Sequence, residues 1–428
     1  MKIQHFMALV VLSLATLPGA RAATSTWTGA DPSGFWSAPA NWSPTGVPVN
    51  GNDLVFPGGL PPEDKVSTND LTDRIFRSIS FTQAGGHTIR GNPITLTNRS
   101  DVIINSGTNV IACDLTFTGT PSTPTSQYPT IRGLAGPFGL TTELTVIGNV
   151  GGGSLYVFVE RLVIMGQFTG GSLRLFAANL ALYGDNPHAV SLETQVSTIL
   201  VQGSQPNLNI RMLFEMESAA GSYLSGDGVI GDVTGGYGHI TLNSTLSAKN
   251  VSLNNWLNIH LNGTNVGEYG RLVASGDVIL YSGRLLPSAG FNPQAGQVYT
   301  IVEKTSPGPI TTNAFVRTSE FLGPEGTITY LNGMPFRISY VGGDGNDVTL
   351  TVVTPVPIVL GAVQRFDTQS VFSYSADVGL RYAVERSATL TNWTTIWSNT
   401  ANVNPMTVTD TAATNRMNFY RVRRLPNP

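Results

Sequence analysis

The glycine- and aspartate-rich segment Gly342-Gly-Asp-Gly-Asn-Asp347 has residue types and spacing suited to cation binding. It matches most of the nonapeptide that binds calcium in β-roll proteins, with Asp344 and Asp347 as the carboxylate donors. Position 349, where that motif requires a large apolar residue, is Thr349, and the segment occurs only once. We therefore expect a tight turn before a final strand and keep Asp344 and Asp347 as calcium candidates.

Other side chains suited to catalysis are scattered along the chain. The five histidines show neither His-x-x-x-His nor Glu-x-x-His spacing, which argues against a metal site built on them. The sequence contains no Gly-x-Ser-x-Gly nucleophile motif. Cys113 is the single cysteine and lies in an apolar run, which is typical of a buried, unreactive thiol. The sequence therefore predicts no metal or organic cofactor.

Two groups of residues would suit a carbohydrate ligand. A carbohydrate-binding C-terminal sandwich would need Trp393 or Trp397 exposed on one face rather than buried. Arg174 and the pair Glu160-Arg161 lie within a repeated segment, where arginines with acidic neighbours would suit acidic polysaccharides. We expect both positions, the Glu160-Arg161 pair and Arg174, to be outward-facing solubilising residues. Carboxylate pairs that cleave glycosides are defined by their separation in space, so the sequence leaves that activity open.

The element that positions these residues is a repeat between residues 144 and 184. Glycines and alternating apolar residues recur there at a separation of 18 positions. The matching residues of the two copies are Gly148 and Gly166, Gly152 and Gly170, Ser154 and Ser172, Leu155 and Leu173, Leu162 and Leu180, and Gly166 and Gly184. A period near twenty residues is typical of a solenoid, in which each coil buries its apolar face by stacking on its neighbour. The alternation within each copy predicts short strands.

The composition agrees with an all-β repeat protein. Charged residues make up 12% of the 428 residues, about half of the ~25% usual for globular proteins. Glycine accounts for 47 residues, which indicates many corners. The net charge is −3 and the sequence has no basic block, so it predicts no nucleic-acid partner.

Residues 1–22 are predicted to be a secretory signal peptide. Lys2 precedes a mostly apolar run from Phe6 to Leu17, and Ala20-Arg-Ala22 offers a small-residue cleavage site. No later segment reaches the ~18 apolar residues of a membrane-spanning helix. The mature protein is therefore expected to be secreted or attached to the cell surface, without a transmembrane segment.

The rest of the chain divides into two predicted units. A β-solenoid is expected over residues 23–352, with a tryptophan-rich cap at 23–60 and a closing segment at 256–352. The three tryptophans of the cap are expected to supply core area, the alternative being a sugar-stacking platform. A proline-rich stretch at 121–139 is expected to leave the coil as a loop. Short alternating runs predict a small β-sandwich over residues 353–428.

Several motifs carry a resemblance to secreted bacterial proteins with autotransporter-associated β-strand repeats. The motifs are Trp27-Thr-Gly29, Asn41-Trp42, Leu257-Asn-Ile-His-Leu-Asn-Gly263, Tyr269-Gly-Arg-Leu-Val273, Val298-Tyr-Thr-Ile-Val302 and the run from Phe336 to Leu350. The resemblance covers roughly residues 25–352 and implies a right-handed parallel β-helix. It implies no single activity, because one fold carries many functions. The C-terminal unit lacks the even series of strands of a translocating barrel, which is a departure from true autotransporters.

These observations predict a non-enzymatic exported protein with a structural, adhesive or surface-binding role. Its partner would be a polysaccharide or another cell-surface polymer, since a solenoid presents a long regular flank. The alternative is a carbohydrate-active enzyme, a polysaccharide lyase or glycoside hydrolase on a β-helix. That enzyme would require a cleft lined by clustered charged residues.

Overall fold

The computed structural model describes residues 23–425, apart from positions 84, 98–99, 119–127, 135–141, 177, 196, 213–221, 236–237, 288–292, 313–323, 332–333 and 355. The predicted signal peptide and most of the predicted 121–139 loop lie outside the described residues. Strand accounts for 55% and helix for 2%, so the protein is all-β, as predicted. No helix among the described residues is long and apolar enough to cross a membrane.

The strands are short and follow one another closely along the chain. The first group is β1 (Thr24–Trp27), β2 (Trp42–Ser43), β3 (Asp53–Pro57), β4 (Val66–Asn69), β5 (Ile75–Phe76), β6 (Ser78–Thr82), β7 (Gly85–Gly91), β8 (Ile94–Leu96), β9 (Asp101–Asn105), β10 (Thr108–Ile111), β11 (Leu115–Phe117) and β12 (Thr130–Gly133). Short 3-10 helices occur at Pro39–Asn41 and Pro62–Lys65.

The middle of the chain continues the same pattern. Its strands are β13 (Glu143–Val146), β14 (Val150–Gly152), β15 (Ser154–Phe158), β16 (Arg161–Ile164), β17 (Ser172–Phe176), β18 (Asn179–Leu182), β19 (Val190–Gln195), β20 (Thr198–Val201), β21 (Ser204–Gln205), β22 (Leu208–Met212), β23 (Tyr223–Gly226), β24 (Val229–Ile230), β25 (Val233–Gly235), β26 (His239–Leu242) and β27 (Thr245–Ala248).

The next group is β28 (Val251–Leu261), β29 (Arg271–Ala274), β30 (Val278–Pro287), β31 (Val298–Lys304), β32 (Thr311–Thr312), β33 (Ile328–Leu331), β34 (Met334–Gly342) and β35 (Asp347–Val352). Of these, β28 and β30 are the longest strands among the described residues. The last group is β36 (Gln364–Phe366), β37 (Gln369–Tyr374), β38 (Arg381–Ser387), β39 (Thr394–Thr400), β40 (Met406–Asp410) and β41 (Phe419–Leu425).

Parallel pairing joins the strands of successive coils into three ladders. The first ladder runs through β4, β7, β10, β13, β16, β18, β20, β23, β26 and the second halves of β28 and β30. The second ladder runs through β1, β3, β6, β9, β12, β15, β17, β19, β22, β25, the first halves of β28 and β30, and β32. The third ladder has two parts, β5-β8-β11-β14 and β21-β24-β27-β29-β31. These long parallel ladders are consistent with a β-helix.

The 18-residue repeat sets the register of the ladders. Leu155 lies opposite Leu173 in the second ladder, and Leu162 lies opposite Leu180 in the first. All four side chains are buried in one continuous apolar core. The predicted stacking of Leu155 on Leu173 is therefore confirmed.

The repeated glycines are explained by close contact between corners. A Cβ atom on Gly166 would lie 2.4 Å from the carbonyl oxygen of Gly148, and one on Gly184 would lie 2.5 Å from that of Gly166. Real Cβ atoms do not approach backbone oxygens so closely, so any other residue would push the coils apart. The glycines therefore recur every 18 residues because each one lies directly against the corner of the preceding coil.

The two ends of the ladders differ in construction. At the N-terminal end, Trp27, Trp36 and Trp42 are buried and pack edge-to-face against one another, with centroid distances of 5.1 and 5.7 Å. They supply core area, as predicted, and form no exposed sugar platform. At the other end, the pairing becomes antiparallel. β31 pairs with β35, β35 pairs with β34, and β34 pairs with β33.

The C-terminal residues form two antiparallel sheets of three strands, β36-β37-β40 and β39-β38-β41. Side chains from both sheets share a second apolar cluster that includes Phe372, Tyr374, Tyr382 and Val408. This cluster is separate from the core of the parallel ladders. The alternating runs after residue 353 therefore mark real strands.

Candidate functional site

The most regular exposed surface is formed by the outward side chains of β12, β15, β17, β19 and β22 in the second ladder. Alternation along β15 and β17 buries one set of residues and turns the other set outward. We call this surface the aromatic–arginine flank. It consists of Arg132, Tyr156, Phe158, Arg174, Phe176, Glu193 and Arg211.

The central row of the flank is a chain of polar contacts. Tyr156, Arg174, Glu193 and Arg211 occupy opposite positions on consecutive strands. The Arg174 guanidinium donates a 2.8 Å hydrogen bond to the Tyr156 hydroxyl. Its Nε atom also forms an ion pair with the Glu193 carboxylate at 2.6 Å. Arg211 lies 3.5 Å from the other oxygen of Glu193. One carboxylate is thereby shared by two guanidinium groups.

Burial lowers the pKa of the Arg174 guanidinium, but Tyr156 and Glu193 outweigh this effect and the pKa is raised above its ordinary value. The side chain stays charged at every physiological pH and is 44% exposed. It therefore presents a fixed positive charge at the surface, where an anion or a hydroxyl-rich polymer has access to it.

The neighbouring row is aromatic. The rings of Phe158 and Phe176 stack with centroids 4.8 Å apart and planes within 6°, matching the spacing of paired strands. Tyr156 lies 5.7 Å from Phe176 in a parallel plane, and Tyr128 lies 4.8 Å from Tyr156. Arg132 covers Phe158 at 5.9 Å. Since the ring faces contact one another, the flank presents mainly ring edges to solvent.

A third row adds hydroxyl groups. Ser154, Ser172, Ser191 and Asn209 are register partners along the same strands. The Ser172 hydroxyl donates a 2.6 Å hydrogen bond to that of Ser154. Apolar edges, guanidinium groups and hydroxyls therefore repeat together along one side of the second ladder. Such a surface suits an extended polymer with both apolar and polar faces.

Sequence analysis found Arg174 but missed the aromatic residues of the flank. The signal was present, because Tyr156 and Phe158 occupy the outward positions of one copy and Arg174 and Phe176 those of the next. Glu160 and Arg161 are exposed on other parts of the coils, as predicted. Arg161 lies 3.4 Å from Glu143 in the first ladder.

The calcium candidates lie in the turn between β34 and β35. Asp344 is exposed, whereas Asp347 is buried and accepts a 2.9 Å hydrogen bond from the backbone nitrogen of Lys304. The Lys304 ammonium is also buried and donates to the carbonyl oxygens of Ser306, Pro307 and Gly308 at 2.8–3.0 Å. Within the described part of the chain, no three His, Cys, Asp or Glu side chains gather as a metal site.

The tryptophan candidates of the C-terminal unit have different surroundings. Trp397 packs against the second apolar cluster and lies 6.4 Å from the ring of Tyr374. Trp393 is partly buried, donates to the Leu390 carbonyl at 3.0 Å, and has the Arg421 guanidinium 4.3 Å above its ring. Both indole rings are therefore partly buried, and each contacts another side chain of the C-terminal unit.

A cavity inside the coils is not an accessible site. Its lining includes Phe168, Leu173 and Leu180 from the buried core. The Asn186 amide at its wall donates to the Phe168 carbonyl at 2.6 Å. The cavity therefore belongs to the interior of the coils and not to their outer surface.

No protein-family model matches the sequence, and neither a curated protein nor a solved structure resembles it significantly.

Proposed function

We propose that this chain is an exported β-solenoid protein that binds a polysaccharide or another cell-surface polymer along the aromatic–arginine flank. The proposed architecture is a right-handed parallel β-helix followed by a β-sandwich, as in proteins with autotransporter-associated repeats. The three parallel ladders support the helix. The two antiparallel sheets that share one apolar cluster support the sandwich.

The observation that carries the binding proposal is the continuity of the flank over consecutive coils. Tyr156, Arg174, Glu193 and Arg211 repeat at the spacing of paired strands, about 4.8 Å. An extended polymer lying across the strands would meet one rung after another. Weak contacts at each rung then add up to useful avidity.

The charges of the flank are not arranged as a hydrolytic pair. The Glu193 carboxylate is held between Arg174 and Arg211, and the Asp101 carboxylate accepts a 2.8 Å hydrogen bond from Arg132. A glycosidase needs two carboxyl groups that flank one scissile bond, and these two carboxylates are each engaged by arginine side chains instead. The flank therefore suits binding better than glycoside hydrolysis.

The test is retention of the secreted full-length chain on a panel of insoluble neutral and acidic polysaccharides. We expect Arg174→Ala and Phe158→Ala each to weaken retention about tenfold, equivalent to about 1.4 kcal/mol. Arg161→Ala is the matched control, because Arg161 also pairs with a glutamate one coil away but lies in the first ladder. Exposed ion pairs of this kind are worth about 0–1 kcal/mol, so both arginine variants should fold. Phe158 is 40% exposed, so its replacement leaves the buried core intact.

The same incubation separates binding from catalysis. Retention that Arg174→Ala weakens and Arg161→Ala does not, without new reducing ends or unsaturated products, supports the proposal. Equal losses in both variants would contradict it. New chain ends would establish the alternative, a polysaccharide lyase or glycoside hydrolase.

A further inference from the structure

A second charged surface lies on the outer face of the sheet β39-β38-β41, on the side away from the second apolar cluster. Tyr382 and Val384 of β38 point into that cluster, so Glu385 points to the opposite side. Arg421 and Arg423 of β41 reach Glu385 from the neighbouring strand. We call this surface, with Arg381, the basic face.

Glu385 is the centre of the basic face. It accepts hydrogen bonds from the Nε atoms of Arg421 at 2.6 Å and of Arg423 at 2.9 Å. Its side chain is only 7% exposed, whereas those of the two arginines are 50% and 52% exposed. The carboxylate thus holds the base of each guanidinium, while much of each arginine side chain faces solvent.

A tryptophan restrains Arg421 further. Its guanidinium lies 4.3 Å from the centre of the Trp393 ring, and the Trp393 indole nitrogen is bonded to the Leu390 carbonyl. Trp393 thereby supports a cation. This arrangement reduces the rotamer entropy that Arg421 would lose on binding a ligand.

The basic face has an excess of positive charge. The guanidinium groups of Arg421 and Arg423 share the one carboxylate of Glu385, which leaves one positive charge in excess at this pair of arginines. Hydroxyl groups surround them, because Thr395 bonds to Glu385 and Ser398 accepts a hydrogen bond from Arg381. The chain as a whole carries a net charge of −3, so this local excess is opposite in sign to the protein's total.

We infer that the basic face binds the carboxylate groups of an acidic polysaccharide. Oriented guanidinium groups match the two oxygens of a carboxylate, and neighbouring hydroxyls match sugar hydroxyls. Anionic membranes are bound by clusters of roughly four to eight lysines or arginines, which is more than the three arginines of the basic face. This inference does not depend on the aromatic–arginine flank, since it concerns a different unit and a different sheet.

The experiment measures retention of the full-length chain on polygalacturonate beads, with neutral glucan beads and anionic phospholipid vesicles for comparison. Arg423→Gln removes one positive charge but leaves Arg421 to pair with Glu385, and we expect retention to fall about tenfold. Arg74→Gln, an exposed site near the N-terminus, matches the charge change of Arg423→Gln and should leave retention unchanged.

Circular dichroism and the melting temperature check that each variant folds. If Arg423→Gln does not fold, Arg423→Lys replaces it. Lysine keeps the positive charge but lacks the paired N–H donors of the guanidinium group, so retention should still weaken. The effect should persist in an Arg174→Ala background, which separates this inference from the function proposed for the flank. Retention on vesicles but not on polygalacturonate would overturn the inference. So would equal weakening by Arg74→Gln and Arg423→Gln.

Discussion

Tyr156 and Arg174 occupy the same position of two consecutive coils, and the Arg174 guanidinium lies 5.5 Å from the centre of the Tyr156 ring while bonding to its hydroxyl. The contact joins neighbouring turns at the surface, just as Leu155 and Leu173 join them in the core. Such cross-strand pairs contribute about 0.2–1 kcal/mol each. Because the period repeats, a small contact at one turn becomes part of a continuous surface.

The core register is tested by Leu155→Asp. Leu155 is 1% exposed and stacks on Leu173, so an aspartate would place an unpaired charge in the apolar core. We expect the free energy of unfolding to fall by about 4 kcal/mol or more, measured by urea denaturation. Asn179→Asp, an exposed change of equal charge at the start of β18, should stay within about 0.5 kcal/mol. Similar losses in both variants would contradict the stacked core.

His87 predicts a pH dependence of stability. The side chain is 1% exposed and packs against Phe56 and Phe81, with Lys65 nearby. Desolvation is the main cause that lowers the pKa of His87 below its ordinary 6.5, although a hydrogen bond to Pro57 opposes it. The unfolded chain therefore binds a proton that the folded chain does not, and stability falls as the pH drops below about 6.5.

The measurement is the melting temperature of the protein between pH 4.5 and 7.5. We expect the slope below about pH 6.5 to be smaller in His87→Gln than in the wild type. His188→Gln, at an exposed position, should keep the wild-type slope. If the melting temperature of His87→Gln depends on pH as steeply as that of the wild type, groups other than His87 control the loss of stability in acid.

Lys304 predicts a structural role for a buried cation. Its ammonium donates to three carbonyl oxygens in the loop after β31, a role that a bound metal ion fills in other proteins. Lys304→Met keeps the length of the side chain but leaves these oxygens without their donor. Each loss costs about 1–3 kcal/mol if the oxygen stays buried, so we expect a clearly lower melting temperature. Lys249→Met, at an exposed position, should melt as the wild type does.

The calcium candidates give a separate prediction. Asp347 already accepts the Lys304 backbone nitrogen, and Asp344 is exposed. We expect millimolar calcium and a chelator both to leave the melting temperature unchanged, since the carboxylates have no third acidic partner among the described residues. A calcium-dependent rise that Asp344→Asn abolishes would assign a metal site to this turn.

Cys113 should be inert in the folded protein. Burial raises the pKa of the Cys113 thiol to about 12, with Asp114 adding to the effect, so the thiolate is scarce at pH 8. We expect iodoacetamide at pH 8 to label the native chain far more slowly than the chain in guanidinium chloride. Mass spectrometry of the two samples gives the comparison. Rapid native labelling would mean that the bend between β10 and β11 opens locally.

The sequence by itself determined the all-β class and the register of the middle coils. The 18-residue spacing of Leu155 and Leu173 is directly the spacing of paired positions, because each coil must bury its apolar side on the next one. The glycine corners follow from the same repeat, since Gly166 and Gly184 leave no room for a side chain. The export signal and the family resemblance remain predictions.

The chemistry of the surfaces was decided only by tertiary structure. Glu385 meets Arg421 and Arg423 across 36 and 38 residues, and no periodicity links them, because antiparallel pairing depends on the packing of the whole unit. Asp347 likewise accepts a hydrogen bond from the backbone nitrogen of Lys304, 43 residues away. The calcium-like motif is therefore a turn held by a hydrogen bond to a distant segment. A repeat fixes contacts between equivalent positions of neighbouring coils. Contacts between unrelated segments form only when the chain has folded and long side chains find partners in space.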